Sequence, residues 1–144
     1  MRQQHYRVVL DTNVWLSALI FGGKPRQVVE LFAHRRIDVV VSEEMFTEMR
    51  RKVSSKFPDF ASEAAALEIM VREAADIVQL GEITVTVCRD PADNYVLETA
   101  IVGGCDYIIS GDKDLLSLGK YHDTAILPPA KFLDVFSVEV PLQH

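Results

Sequence analysis

Two apolar runs in this chain each stop at an aspartate. Tyr6–Leu10 (YRVVL) runs into Asp11, and Tyr107–Ser110 (YIIS) runs through Gly111 into Asp112. Both are short and β-branched, so each reads as a buried strand. Helical patterns alternate with further short apolar runs between and after them. That alternation confines the chain to an α/β fold. Parallel strands need crossover helices, and the helices cover both faces of the sheet. In such sheets ligands gather outside the carboxyl ends of the strands. Asp11 and Asp112 both fall there.

The pattern predicts helices over Val14–Phe21, from Pro25 through Phe32, from Ser42 to about Lys52, and over Phe60–Ala75. Others follow from Asp90-Pro91 to Gly103-Gly104, over Leu115–Leu118 and over Pro129–Phe136. Ile37–Val41 (IDVVV), Ile83–Val87 (ITVTV) and Ala125–Leu127 are expected to be strands. Ser42 is placed to cap the third helix, with Glu43 and Glu44 in its positive first turn. Asp90 before Pro91 has the form of an N-cap. Residues 137–144 carry no pattern.

A chain of 144 residues fits one domain. Its 49% apolar and 25% charged content is that of a folded globule and rules out wholesale disorder. The formal charge of −6 argues at first against nucleic acid as a partner. It hides a split: residues 1–56 sum to +4 and residues 57–144 to −10. Cys88 and Cys105 form no disulfide framework and no CxxC pair. No apolar h-region follows Met1–Arg7, and no run reaches the roughly 18 residues of a membrane span. The expected setting is soluble, reducing and cytoplasmic.

Carboxylates cluster in four places: Asp11, Glu44 and Glu48 on one helix face, Asp90 with Asp93, and Asp112 with Asp114. Each acid alone has an ordinary explanation as a cap or a solvated side chain. Gathered at one sheet edge, they cannot all ionise without cations. Hard oxygen ligands suit Mg²⁺ or Mn²⁺, and two such ions can activate water and stabilise a leaving oxygen in phosphodiester cleavage. Other chemistries lack their motifs. His5, His34, His122 and His144 have no zinc spacing, and there is no phosphate-binding glycine loop and no GxSxG elbow. Cys105 and Trp15 read as core residues.

The segments VVLDTNVWLSAL (8–19), VSEEMFTEM (41–49), RDPADNYVLETA (89–100) and IISGDKDLL (108–116) occur in an order that resembles the PIN-domain family of metal-dependent nucleases. Within it the chain is similar to stand-alone bacterial and archaeal PIN proteins of the toxin (VapC-like) group. The resemblance implies a single PIN-like domain over residues 1–136 and a C-terminal tail over 137–144. It implies that Asp11, Glu48, Asp93 and Asp112 are the catalytic acids and metal ligands, with Glu44 on the same helix face as Glu48. Asp114 matches the variable extra acid, and Asp90 a capping or supporting group of the DPxDN form. Asn13 and Ser110 match polar supports of the site. Mg²⁺- or Mn²⁺-dependent cleavage of single-stranded RNA, a 5′-phosphate product, a homodimer and a small antitoxin partner are further implications. Arg50, Arg51, Lys52 and Lys56 in the basic half are placed to steer an RNA backbone. Two other readings stay open. One is a PIN module that binds RNA or protein without cutting. The other is a haloacid-dehalogenase-like phosphatase, which usually needs an aspartate where this chain has Asn13.

Overall fold

The computed structural model describes residues 5–139. Its six strands are β1 (Arg7–Leu10), β2 (Asp38–Ser42), β3 (Asp76–Val78), β4 (Tyr107–Ile109), β5 (Lys120–Tyr121) and β6 (Thr124–Leu127). Its helices are α1 (Thr12–Ile20), α2 (Gly23–Ala33), α3 (Glu43–Lys56), α4 (Ala61–Ala74), α5 (Pro91–Val102), α6 (Lys113–Leu118) and α7 (Pro129–Glu139). The sheet order is β3-β2-β1-β4-β6-β5, parallel throughout except for the β5–β6 pair.

Strand alternation sorts the core into two halves. Val8, Leu10, Val39, Val41 and Ile109 pack on one face, against Trp15, Val28, Phe32, Phe46, Phe132 and other residues of α1–α4 and α7. Val9, Val40, Ile108 and Ile126 pack on the other, against Val96, Leu97, Ala100 and Leu115 of α5 and α6. Neighbouring residues of one strand therefore serve opposite faces, which is why these strands read as continuous apolar runs. Gly103, at the end of α5, allows the close approach to the sheet: a Cβ there would lie 2.6 Å from Val40 Cγ1.

The structure corrects several boundaries. Ile83–Val87 is not a strand. The third strand is instead Asp76–Val78, which pairs with Val40–Ser42 directly after α4. The segment after it is tied to α5: Gly81 N–H donates to Glu98 Oε2 at 2.8 Å, and Asn94 brackets the backbone of Cys88. Only Val85 of the alternating run is buried, while Ile83 and Val87 stay exposed. The two-residue strand β5 has no apolar pattern to announce it. Ser42 holds the N-cap position of α3, but its hydroxyl bonds Thr99 Oγ1 at 2.9 Å rather than capping the helix. Helix α3 continues to Lys56, where Phe57 and Pro58 end it. Helix α7 runs to Glu139, into the segment expected to be tail, since no breaker precedes Pro141. Residues 140–144 lie outside the described residues, as does His144.

Candidate metal centre

Strand order places β1 beside β4, with β2 and β3 to one side and β6 and β5 to the other. The chain's course reverses between β1 and β4, which makes the gap above them the switch point of the sheet. Asp11 follows β1 there, and its backbone N–H donates to Ile109 O at 2.9 Å. Asp112 follows β4. Asp93 comes from the first turn of α5, whose start is fixed by Asp90 accepting from Ala92 N–H at 3.0 Å and by Pro91.

Ser110 locks two of these acids together. Its hydroxyl donates to Asp11 Oδ2 at 2.7 Å and accepts from the Asp112 N–H at 2.9 Å. Ser110 is fully buried and Asp11 nearly so. Asp112 Oδ2 accepts from Leu115 N–H at 3.1 Å and caps α6. One oxygen each from Asp93, Asp112 and Asp114 lies within 4.8 Å of the others. The sequence expected Asp11, Glu48, Asp93 and Asp112 as the site, with Asp114 as a further acid. The fold gathers Asp93, Asp112 and Asp114 and links Asp11 to Asp112 through Ser110, while Glu48 is paired with Arg51.

The charges are in conflict. Burial raises the Asp93 carboxyl, and a hydrogen bond and charge repulsion from Asp112 add to it, with Asp11 and Asp90 contributing, so Asp93 is pushed up to about 7. Burial also raises Asp11, against the lowering effects of the Ser110 hydrogen bond and the Lys52 charge. Ionising Asp93 and Asp11 in this space therefore carries a penalty, which a cation set among the acids would relieve.

The remaining expected residues have other partners. Glu48 is half-buried on α3 with its carboxylate ion-paired to Arg51. Glu44, one turn earlier, is half-buried too. Asp90 serves as the cap of α5. Asn13 Oδ1 accepts from Lys52 Nζ at 2.9 Å. Arg50 bonds Glu68 at 2.7 Å, and Lys56 is exposed at the end of α3. Sequence reasoning missed Arg89, which holds both oxygens of Asp114 at 3.1 Å; an arginine next to the Asp90-Pro91 start of α5 was the available signal. It also missed Asn94, the last residue of the DPxDN form, which pins Cys88 at the rim of the acids. Cys105 is buried as expected, with its thiol pushed up to about 12 by that burial. Trp15 is core, edge-on to Phe32.

A parallel sheet covered on both faces, with a carboxylate centre at its switch point, defines the class of this molecule. The PIN domain family model matches residues 7–114, and the chain belongs to that family. An uncharacterized protein of Methanocaldococcus jannaschii is 34% identical over 122 residues, covering 82% of this chain and 78% of that protein. The fold is shared with VapBC2 from Rickettsia felis, solved bound to a DNA fragment from its promoter. That match has a TM-score of 0.58 at 14% identity, over 83% of this chain and 96% of that one. Family membership sets aside the phosphatase alternative.

Proposed function

We propose that the protein is a Mg²⁺- or Mn²⁺-dependent endoribonuclease that cuts single-stranded RNA, acting in the cytoplasm as the toxin of a toxin–antitoxin pair. The observation that carries this reading is the carboxylate crowding: Asp93, Asp112 and Asp114 within 4.8 Å, with Asp11 joined to Asp112 through Ser110. A donor set made only of carboxylate oxygens fits a hard divalent cation, which would also remove the charge conflict at Asp93. Membership of the PIN family, whose members are in general metal-dependent nucleases, supports the same chemistry.

Asp11, Asp93 and Asp112 are the residues that would hold the ion, with Glu48 as the fourth acid of the family pattern and Asp114 as a further carboxylate. When bound, such an ion supplies Lewis acidity that activates water and offsets charge building on the phosphate. The chain itself does the positioning. Ser110 fixes the Asp11 carboxylate, and the α6 backbone fixes that of Asp112. Glu48 is paired with Arg51 through one carboxylate oxygen, and Arg51, Arg50 and Lys52 on the same helix are proposed to steer the RNA backbone. Cleavage is expected to leave a 5′-phosphate and a 3′-hydroxyl.

Likeness in fold to VapBC2, a toxin–antitoxin complex, supports a small antitoxin protein as partner, and a homodimer is the proposed assembly. The decisive experiment incubates the purified protein with single-stranded RNA and Mn²⁺, alongside EDTA and Asp11→Asn controls. Cleavage is expected only from the parent protein with metal. Equal cleavage by Asp11→Asn would sink the metal-site assignment, and RNA binding without cleavage would favour a non-catalytic module.

A further inference from the structure

Lys52 differs from the two arginines that precede it on α3. Arg50 donates to Glu68 and Arg51 pairs with Glu48, so both are neutralised by a carboxylate. Lys52 reaches across to α1 and donates to the neutral amide oxygen of Asn13 at 2.9 Å. Among the described residues no acid lies within ion-pair distance of it. Asn13 stands two residues after Asp11, and the charge of the ammonium it holds acts on Asp11, lowering its carboxyl against the effect of burial. An ammonium has three donors, and Asn13 takes one.

We propose, on the basis of the nuclease reading, that Lys52 is the phosphate-binding residue of this site, resting on Asn13 until it takes a non-bridging oxygen of the RNA phosphate set before the acids. A neutral partner makes the lysine easy to release. The flexible four-carbon stem lets it move without shifting α3. Lys52 and a divalent cation also answer the same negative charge. The lysine therefore weakens metal binding while it strengthens RNA binding. A lysine that merely fastened α3 to α1 would not produce that opposition.

The test titrates Mn²⁺ alone into the parent protein, Lys52→Met and Lys52→Arg by calorimetry. Binding of a labelled single-stranded oligoribonucleotide is followed by anisotropy in EDTA, and KM and kcat are measured in Mn²⁺. Lys52→Met is expected to bind Mn²⁺ about three- to tenfold more tightly, since a competing positive charge is gone. It is expected to bind RNA about three- to tenfold more weakly, with a shallower salt dependence and a raised KM. Lys52→Arg restores RNA binding. If Lys52→Met destabilises the fold in a thermal melt, Lys52→Gln takes its place. Unchanged affinities, or a loss of both, overturn the proposal. If the parent cuts RNA and Lys52→Met matches it throughout, the proposal falls and the nuclease reading stands. Opposed shifts in a parent that never cuts RNA uphold Lys52 as a phosphate ligand and refute the nuclease reading.

Discussion

Aspartates sit at both ends of this sheet, and the two ends treat them differently. Where the strands begin, Arg7 gathers the acids. Its N–H donates to Asp106 Oδ2 at 2.9 Å, its Nη1 to Asp76 Oδ2 at 2.5 Å, and its Nε to Gly103 O at 2.7 Å. His5 stands 3.5 Å from Asp38 at the same end. Those acids are exposed and matched to a cation or a backbone donor. Where the strands finish, Asp11 and Asp93 are buried and face Asp112. One residue type thus ties strands together at one end, while at the other it is held at a cost to the metal-free fold. Uncompensated charge of that kind marks sites of function.

The largest expected effect is on cleavage. Asp11→Asn and Asp112→Asn should each lower the Mn²⁺-dependent rate by roughly a hundredfold or more. Asp76→Asn, at the opposite end, should leave it unchanged in the same assay. Equal losses at the two ends would erase the contrast.

Ser110→Ala comes next. It leaves every acid in place but frees the Asp11 carboxylate and the Asp112 backbone from their shared hydroxyl. Supports of this kind typically carry about ten- to a hundredfold in metal affinity or activity, and Mn²⁺ titration with rate measurement reads it.

Stability should move in opposite senses at the two ends. Asp93 is raised to about 7 in the folded protein, against 3.8 for an ordinary aspartate. Between those values the folded state binds the extra proton, so the stability of the metal-free protein falls as pH rises through the interval. Above about pH 7 the penalty is fully present. Asp93→Asn should flatten this slope and raise the metal-free Tm at pH 8 by roughly 2–4 °C. Mn²⁺ affinity of the parent should climb with pH up to about 7 and then level off. A metal-free Tm that rises across the same range would contradict the burial of Asp93 among like charges.

The smallest effect belongs to the paired end. Asp76→Asn should lower stability by under about 1 kcal/mol, because its ion pair with Arg7 is largely solvent-exposed. Denaturant unfolding measures it, and a larger loss would make that end a structural keystone.

Much of the fold was readable from local chemistry. The β-branched runs at Arg7–Leu10, Asp38–Ser42, Tyr107–Ile109 and Thr124–Leu127 are short enough for a doubly covered sheet, and Asp90-Pro91 starts α5 as its capping chemistry requires. Ile83–Val87 misled because alternation reports a half-buried strand only when a neighbour offers a ladder. The partner edge of β2 was taken by Asp76–Val78, which has barely three residues of pattern. Ser42 misled for a related reason, since a tertiary partner, Thr99, outbid the local cap.

The sequence by itself determined that Asp11 and Asp112 end strands and that Asp93 opens a helix, because these depend on residue order and short-range capping. It could not determine that Asp93 meets Asp112, that Ser110 bonds Asp11 across 99 positions, or that Lys52 on α3 reaches Asn13 on α1. Those contacts join elements far apart in the chain, and the sheet order that puts β1 beside β4 decides them. The same packing strips water from Asp11 and Asp93, and desolvation, a property of the folded interior, turns a row of ordinary aspartates into a centre that calls for a cation.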